Sequence, residues 1–201
     1  MRVSKEKAAE NRRQIVYAAA RLFREQGIDA TGVDSITREA GLTHGAVYSR
    51  FGSKEAITTE SRRLAFKGSK RAWLRVAANK GRKKVFPAIV ESYLTPAHRD
   101  HPGTGCFVAA LGSDISRQTT NIRKTFTEEL KEFLDFLAEL SASDDHSITL
   151  DDAIVAFASM AGALMLARAV TDEALSDRIL AAATRSIASR TKSAKRVSAR
   201  A

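Results

Sequence analysis

Several residue types are scarce in this chain of 201 residues, and each scarcity narrows the class of protein. A single cysteine excludes an intramolecular disulfide framework and is typical of a reducing cytoplasm, where we expect the protein to be located. With only three prolines and 6% aromatic residues, the long Ala-, Leu-, Arg- and Glu-rich stretches favour helices over sheets. Strand-like alternation of polar and apolar residues is missing, so we expect an all-α fold.

Long apolar runs are missing as well. The longest uncharged apolar run, residues 153–167, has fifteen residues, whereas a helix needs roughly 20 to cross a bilayer. The amino terminus is polar and lacks the apolar segment of a signal peptide. We therefore expect a buried helix over this run and no membrane partner.

Acidic residues are scarce at both ends of the chain. Residues 1–80 hold 17 Lys and Arg against 8 Asp and Glu, and residues 81–189 hold 11 against 15. Residues 190–201 hold five basic residues and no acidic one. Because the net charge of +10 is confined to the two ends, it indicates that one region meets a polyanion. An anionic membrane surface is the competing interpretation.

Residues 33–51 have the pattern of two short helices joined by a tight turn. Gly41 favours the left-handed conformation that ends the first of them, and Thr43 is a good cap for the second. Val47 and Phe51 then form the buried edge of the second helix. We interpret the stretch as a DNA-binding helix-turn-helix, with an ordinary helical hairpin as the alternative.

The outward face of the second short helix is rich in hydrogen-bond donors. With one residue before the motif and one after it, the predicted DNA-contacting set is Thr31, Thr43, His44, Gly45, Tyr48, Ser49, Arg50 and Lys54. Such groups can meet phosphates and base edges in a major groove. The small Gly45 lets backbone amides approach a phosphate closely. Lys54 opposes the dipole of the following helix unless a phosphate lies nearby.

Periodicity and capping signals predict further helices on both sides of this motif. Gly27 ends a first long helix, Ser53 caps a fourth, and Thr31 with Asp34 resembles a capping box for the helix between them. The predicted ranges outside the motif are 5–26, 53–79, 85–94, 107–115, 120–140, 149–170 and 173–190.

Many positions agree in register with one known family. They are Ile15, Ala19, Leu22, Phe23, Gly27, Thr31, Val33, Ile36, Ala40, Gly41, Leu42, Thr43, Gly45, Val47, Tyr48, Phe51, Gly52, Ser53, Lys54 and Glu55. The stretch of about 9–70 resembles the DNA-binding domain of the TetR (tetracycline-repressor) family of bacterial regulators. The resemblance implies an all-helical homodimer with a three-helix amino-terminal domain, a linking fourth helix and a carboxy-terminal domain that binds a small effector and dimerises. It also implies DNA contacts at Thr43, His44, Tyr48, Ser49, Arg50 and Lys54.

We therefore expect a helix-turn-helix domain over 1–52, an effector-binding and dimerisation domain over 53–190 with its linking helix at 53–79, and a disordered basic tail over 191–201. The apolar stretch 149–170 and the helix after it predict a four-helix bundle across a two-fold axis. The candidate effector-pocket residues are the aromatic side chains of Phe86, Tyr93, Phe107, Phe126 and Phe157.

The loop 95–106 carries His98, Asp100, His101 and Cys106, all of them metal-ligand types. Their spacing matches no standard zinc pattern, so we expect neither a metal nor another cofactor. Cys106 precedes a helical run, where a thiolate would be stabilised. Sensing of oxidants or electrophiles through Cys106 is therefore an alternative to a plain packing role.

The predicted function is that of a ligand-responsive, homodimeric transcriptional repressor, released from a palindromic DNA operator by a small-molecule effector. Each subunit would insert the 43–51 helix into the major groove, with half-sites about 34–36 Å apart or a multiple of that. An enzyme is not expected, because no nucleophile elbow, paired-carboxylate motif or phosphate loop organises the Ser, His and Asp residues. A sequence-indifferent nucleic-acid binder driven by net charge is the remaining alternative.

Overall fold

The computed structural model describes residues 4–80, 85–142 and 148–198, which form ten α-helices and one 3-10 turn. In chain order these are α1 (Lys5–Gln26), α2 (Val33–Glu39), α3 (His44–Phe51), α4 (Lys54–Lys80), α5 (Val85–Tyr93), α6 (Pro96–Asp100), the 3-10 turn (Pro102–Thr104), α7 (Phe107–Ser116), α8 (Thr120–Ala142), α9 (Leu150–Ala169) and α10 (Glu173–Ser198). No strand occurs among the described residues, and the predicted all-α class is confirmed.

The helix ends predicted from glycine and serine signals are found. Gly27 ends α1 with a φ of 91°, and its amide donates to the Phe23 carbonyl oxygen. Ser53 caps α4, because its hydroxyl oxygen accepts a hydrogen bond of 3.2 Å from the Ala56 amide. These signals are local, so the sequence alone carries them.

Two expectations about irregular segments are wrong. The stretch 95–106 is largely helical, because the Thr95 hydroxyl oxygen caps α6 by accepting from the His98 amide and Pro96 fits the first helical turn. Helix α10 continues to Ser198, whereas we expected disorder from residue 191, because a sequence rich in Ala, Arg and Lys extends a helix already begun. The remaining tail residues, 199–201, lie outside the described residues.

The helices form two compact units. The first unit contains the chain up to Lys67 together with Pro102–Thr127, and the second contains Gly68–His101 and the chain from Glu128 onward. Helices α4 and α8 therefore contribute to both units. The expected assignment of DNA binding to 1–52 and of effector binding to the region after it stays a prediction.

One apolar core holds the first unit together. Its buried members come from α1, the loop after it, α2, α3, α4, α7 and the start of α8: Ile15, Val16, Ala18, Ala19, Leu22, Phe23, Ile28, Ile36, Val47, Phe51, Ile57, Phe107, Leu111, Ile115 and Ile122. The predicted helix-turn-helix thus shares its core with residues that lie more than fifty positions further along the chain. Burial of this kind supplies most of the stability of short helices.

Polar contacts also join α1 and the loop after it to the 3-10 turn and α7 within the first unit. The Ile28 amide donates to Asp114 Oδ2 over 3.0 Å, and Arg24 Nε donates to the Gly103 carbonyl oxygen over 2.9 Å. The backbone of Gly103 lies so close to α1 that an added Cβ would collide with the Glu25 carboxylate. Only glycine fits this approach without a shift of the neighbouring side chains.

Aromatic side chains and the α9–α10 pair build the second unit. Trp73 is buried, with its ring centroid 4.6 Å from that of Phe133 and 6.2 Å from that of Phe157. Arg168 of α9 donates to the carbonyl oxygens of His98 and Arg99, which fastens α6 to α9.

Helix α9 is long and apolar enough to cross a membrane by length and composition. This is weak evidence, because the core helix of a soluble protein passes the same test, and 44% of the window is buried within the structure. The expectation of a buried helix is correct for one face only. Leu150, Ile154, Val155, Met165 and Leu166 are all exposed.

Candidate nucleic-acid interface

The turn between α2 and α3 sets the direction of the candidate recognition helix. Gly41 has a φ of 65°, in the left-handed region predicted for it. Its amide donates to the Arg38 carbonyl oxygen over 3.1 Å, and the Leu42 amide donates to the Thr37 carbonyl oxygen over 3.0 Å. This pair of bonds is the Schellman pattern, which ends α2 and reverses the chain within three residues.

Helix α3 is fixed at its buried edge and at its carboxyl end. Val47 and Phe51 are buried in the core of the first unit, as predicted. The Arg12 guanidinium lies 4.3 Å from the centroid of the Phe51 ring, and Arg12 Nη1 donates to the Arg50 carbonyl oxygen over 2.9 Å. Arg12 also pairs with Glu60 of α4. Arg12 therefore joins α1, α3 and α4 and holds α3 in place.

The opposite edge of α3 is open to solvent. Thr43, His44, Gly45, Tyr48 and Ser49 are exposed, as a DNA-contacting surface requires. The described chain thus presents hydroxyl and imidazole groups and a bare stretch of backbone together on one short helix. Their contacts with DNA stay a prediction.

Arg50 is half-buried and lies back along its own helix. Its Nη1 donates to the Ala46 carbonyl oxygen over 2.8 Å, and its Nε is buried without a hydrogen-bond partner. A buried unpaired N–H group is costly. In this position Arg50 leaves one N–H group unpaired, so moving its guanidinium to a phosphate or base acceptor would sacrifice only the bond to Ala46.

Lys54 lies at the start of α4, close to the loop that follows α1. Its Nζ is 3.3 Å from the Asp29 carbonyl oxygen, an acceptor without a formal charge. A cation at a helix amino terminus is unfavourable unless an anion lies nearby. The arrangement fits the predicted phosphate contact, which stays a prediction.

Two capping expectations near the motif are wrong. Thr31 is fully buried, and its hydroxyl donates to the Gly27 carbonyl oxygen over 2.7 Å, so its side chain neither reaches DNA nor caps α2. Gly32 takes the N-cap position of α2 instead, without a side-chain bond. Thr43 does hold the N-cap position of α3, but its hydroxyl makes no capping bond.

A carboxylate outside the predicted DNA-contacting set also lies at this surface. Asp34 Oδ1, on α2, is 3.2 Å from His44 Nε2, and the His44 ring centroid is 4.8 Å from that of Tyr48. Both side chains of this contact are largely exposed. The chain between Asp34 and His44 includes a turn, so no helical periodicity signals their contact.

The five candidate pocket residues are divided between the units. Phe107 and Phe126 belong to the first unit, and each ring contacts that of Phe66. Phe86, Tyr93 and Phe157 belong to the second unit, where all three are buried. Their contact with an effector stays a prediction.

The metal-ligand types of the 95–106 segment are engaged in local contacts. His98 Nδ1 lies 2.7 Å from the Tyr93 carbonyl oxygen, and burial lowers the pKa of the His98 imidazole. Asp100 pairs with Arg99. Cys106 holds the N-cap position of α7, as predicted, and is buried to 7% exposure. Within the described residues, no three of His, Cys, Asp and Glu lie close enough to hold a metal ion.

Comparison with known proteins gives a family match over the amino-terminal region. Residues 15–60 match the model of "Bacterial regulatory proteins, tetR family". The chain is 39% identical over 59 residues to the HTH-type transcriptional regulator AcrR of Shigella flexneri, which covers 29% of this chain and 27% of that protein. It is 43% identical over 57 residues to the HTH-type transcriptional regulator TtgR of Pseudomonas putida. This second alignment covers 28% of this chain and 27% of TtgR. The matched region thus spans about a quarter of these relatives.

Solved structures extend the likeness in fold to most of the chain. A transcriptional regulator of the TetR family from Agrobacterium tumefaciens superposes with a TM-score of 0.75 at 17% identity, covering 91% of this chain and 98% of that chain. The reduced form of NemR from E. coli superposes with a TM-score of 0.68 at 19% identity, covering 88% of this chain and 94% of the NemR chain. At these identities the likeness concerns the fold alone.

Proposed function

The chain belongs to the TetR family of bacterial regulatory proteins, and on that premise we propose that it is a homodimeric transcriptional repressor, released from a palindromic operator by a small-molecule effector. The observation that carries the proposal is the exposed edge of α3. This short helix is locked to the core at Val47 and Phe51, while its open edge presents donors and no carboxylate of its own. A rigid helix with such an edge suits direct readout in a major groove.

The proposed contacts fall into two groups. Tyr48 and Lys54, with the backbone at Gly45, would bind phosphates and position the protein, so they would act on every DNA sequence. Ser49 and Arg50, on the same helix, would reach base edges and select the operator. Thr43 and His44 at the start of α3 would meet the sugar–phosphate backbone.

The proposed dimer interface is the exposed apolar face of α9, extended by α10. Ile154 and Val155 lie about three helical turns before Met165 and Leu166 respectively, so the four exposed side chains share one side of α9. Leu175 of α10 is also exposed. An apolar face of this length on paired helices favours association across a two-fold axis.

The effector is proposed to be a small, largely apolar molecule. Support comes from the concentration of aromatic side chains in the second unit, where Phe86, Tyr93 and Phe157 are buried and Trp73 and Phe133 make ring contacts. Ligand sites are lined mainly by apolar and aromatic side chains with a few polar groups. To release DNA, the effector must bind the two conformations of the dimer unequally.

One experiment tests the central proposal. The full chain is used to select duplexes from a random pool, and the affinity for the selected sequence is compared with that for random DNA by fluorescence anisotropy. We expect a palindromic sequence bound at least about 10³-fold more tightly than random DNA, and a particle of twice the chain mass in sedimentation equilibrium. Equal affinity for all duplexes would establish the sequence-indifferent binder instead.

Variants of the exposed edge refine the same measurement. Tyr48→Phe and Lys54→Ala should weaken binding to operator and random DNA alike. Ser49→Ala and Arg50→Ala should each reduce the preference for the operator, by about 1–3 kcal/mol where a base contact is lost. Identical profiles for all four variants would contradict the assignment of these contacts.

A further inference from the structure

The guanidinium of Arg12, on α1, contacts three groups of the first unit at once. Its Nη1 donates to the Arg50 carbonyl oxygen over 2.9 Å, and its Nε donates to Glu60 Oε2 over 3.1 Å. Its Nη2 donates to the other oxygen of the Glu60 carboxylate, so this ion pair is bidentate. The centroid of the Phe51 ring lies 4.3 Å from the same guanidinium. Arg12 thus binds both α3 and α4 from α1.

The bond to Arg50 lies where α3 needs a partner. The carbonyl groups in the last turn of a helix have no amide partner within the helix. The Arg50 carbonyl is one of them, because α3 ends at Phe51. A guanidinium at this place satisfies the oxygen and complements the negative end of the helix dipole. With only eight residues, α3 depends on such tertiary contacts to stay in position.

Glu60 determines the direction of the Arg12 guanidinium. A bidentate carboxylate fixes the plane of a guanidinium, because its two oxygens match two N–H groups of the fork. The carboxylate also cancels the charge of Arg12 locally, so this arginine adds little to the attraction of a polyanion. The Arg12 side chain is 43% exposed, whereas that of Arg13, which pairs with Glu10 on its own helix, is 69% exposed.

The residue whose backbone Arg12 holds is one of those proposed to read a base. The Arg50 side chain bonds to the Ala46 carbonyl oxygen of its own helix, so its reach into a groove depends on where its backbone lies. Base readout needs donors placed within about 0.5 Å of the right position. Attraction to phosphates tolerates larger displacements, because it declines over about 10 Å at physiological salt.

We propose that Arg12, oriented by Glu60, is a positioning residue that gives the protein its operator specificity without contacting DNA. The inference rests on the proposed function and deepens it, because it names the contact that holds the base-reading helix in place. Loss of either partner lets the carboxyl end of α3 shift. Such a shift disturbs the base contacts and leaves the attraction to phosphates nearly unchanged.

The test compares the affinities of the full chain for its selected operator and for random DNA by fluorescence anisotropy. Arg12→Lys keeps the positive charge, but a single ammonium cannot bind a carboxylate as a fork and a carbonyl oxygen together. We expect the ratio of operator to random affinity to fall at least about tenfold, with affinity for random DNA within about twofold of the wild type. Arg13→Lys, the same change at the next residue, is the matched control and should keep the wild-type ratio.

Glu60→Gln separates positioning from a direct phosphate contact by Arg12. The variant loses a negative charge, so a phosphate-binding Arg12 released from Glu60 would tighten binding to every duplex and leave the ratio unchanged. Positioning predicts a lower ratio, as for Arg12→Lys. The double variant should lower the ratio no further than the stronger single variant, because both residues act through one contact. Uniformly tighter binding by Glu60→Gln, or additive effects in the double variant, would overturn the proposal.

Failure of this inference is distinct from failure of the proposed function. If the wild type binds no duplex selectively, the proposed function is wrong. If the wild type is selective and both single variants keep its ratio, the positioning role is wrong and the repressor assignment stands. A purely structural role of Arg12 would lower the melting temperature and reduce both affinities by the same factor, which would also overturn the proposal. Circular dichroism melting of each variant supplies that comparison.

Discussion

Helices α3 and α9 each bury one face, yet the faces that they leave exposed have opposite chemistry. The exposed edge of α3 carries His44, Tyr48 and Ser49, whereas the exposed face of α9 carries aliphatic side chains such as Ile154 and Leu166. A surface of donors gains by meeting a polyanion and loses little in water. A row of exposed aliphatic groups gains only by meeting another apolar surface.

This difference shows where the information about function lies. The buried faces of both helices follow the same rule, apolar residues three and four apart, and they reveal only that each helix packs on a core. The exposed residues are not required by packing, so their chemistry reflects the partner. Two sets of measurements test whether the two surfaces have separate partners, and a third examines a residue that belongs to neither surface.

The largest effect is expected from a charge on the α9 face. Leu166→Arg should convert the dimer to a monomer at micromolar concentration, because burying a guanidinium against an apolar face costs several kcal/mol. Operator affinity should fall about 100-fold or more, since a single subunit holds only one half-site. Leu74→Arg is the matched control, because Leu74 is equally exposed (49% against 52%) but lies on α4. Sedimentation measures the oligomeric state of each variant, and fluorescence anisotropy measures its operator affinity. If the two variants behaved alike, the dimer interface would not lie on the exposed face of α9.

An intermediate effect is expected from a methyl group on the α3 edge. Gly45 of α3 and Gly68 of α4 both have open space where a Cβ would stand, with no other atom within 4 Å of that position. Alanine at either position should therefore leave the fold intact. It should raise the free energy of unfolding, by up to about 1 kcal/mol at Gly68 in the interior of α4. Only Gly45→Ala should weaken operator binding, about fivefold or more, because it keeps the backbone away from a phosphate. Unchanged affinity in Gly45→Ala would mean that the start of α3 does not touch the duplex.

The smallest effect is expected at Cys106, which belongs to neither surface. Its burial predicts a packing role, so Cys106→Ala should lower the free energy of unfolding by about 1 kcal/mol in urea titrations and leave operator affinity unchanged. Mild hydrogen peroxide should not alter the affinity of the wild type, because a buried thiol reacts slowly. If peroxide released the wild type from its operator but did not release Cys106→Ala, the redox-sensing alternative would be established.

Signals confined to a few neighbouring residues were sufficient to predict most of the helix-turn-helix. Gly27 and Gly41 end their helices with positive φ, and Ser53 caps α4, because each needs only the backbone around it. Thr31 shows the limit of such signals. Its hydroxyl could cap the next helix or bond back to the Gly27 carbonyl, and the second is favoured once the residue is buried.

Contacts between distant residues could not be predicted from local patterns. Arg12 bonds to the Arg50 carbonyl oxygen 38 positions away, and the Ile28 amide bonds to Asp114 across 86 positions. Such long sequence separations produce no periodic pattern in the sequence. From the sequence alone, Arg12 therefore could not be distinguished from any other basic residue on a surface helix. The contact of Asp34 with His44 depends in the same way on how the turn at Gly41 folds the chain back.

The sharing of one core between the amino-terminal helices and Pro102–Thr127 has a practical consequence for anyone who wishes to graft the first unit onto another protein. A fragment cut after Lys67 would lack Phe107, Leu111 and the other late contributors, and its helices would face water where those side chains belong. A working chimaera must carry both stretches of chain, with joints placed after residues 67, 101 and 127. The first unit is continuous in space and interrupted in sequence, which limits its exchange between proteins.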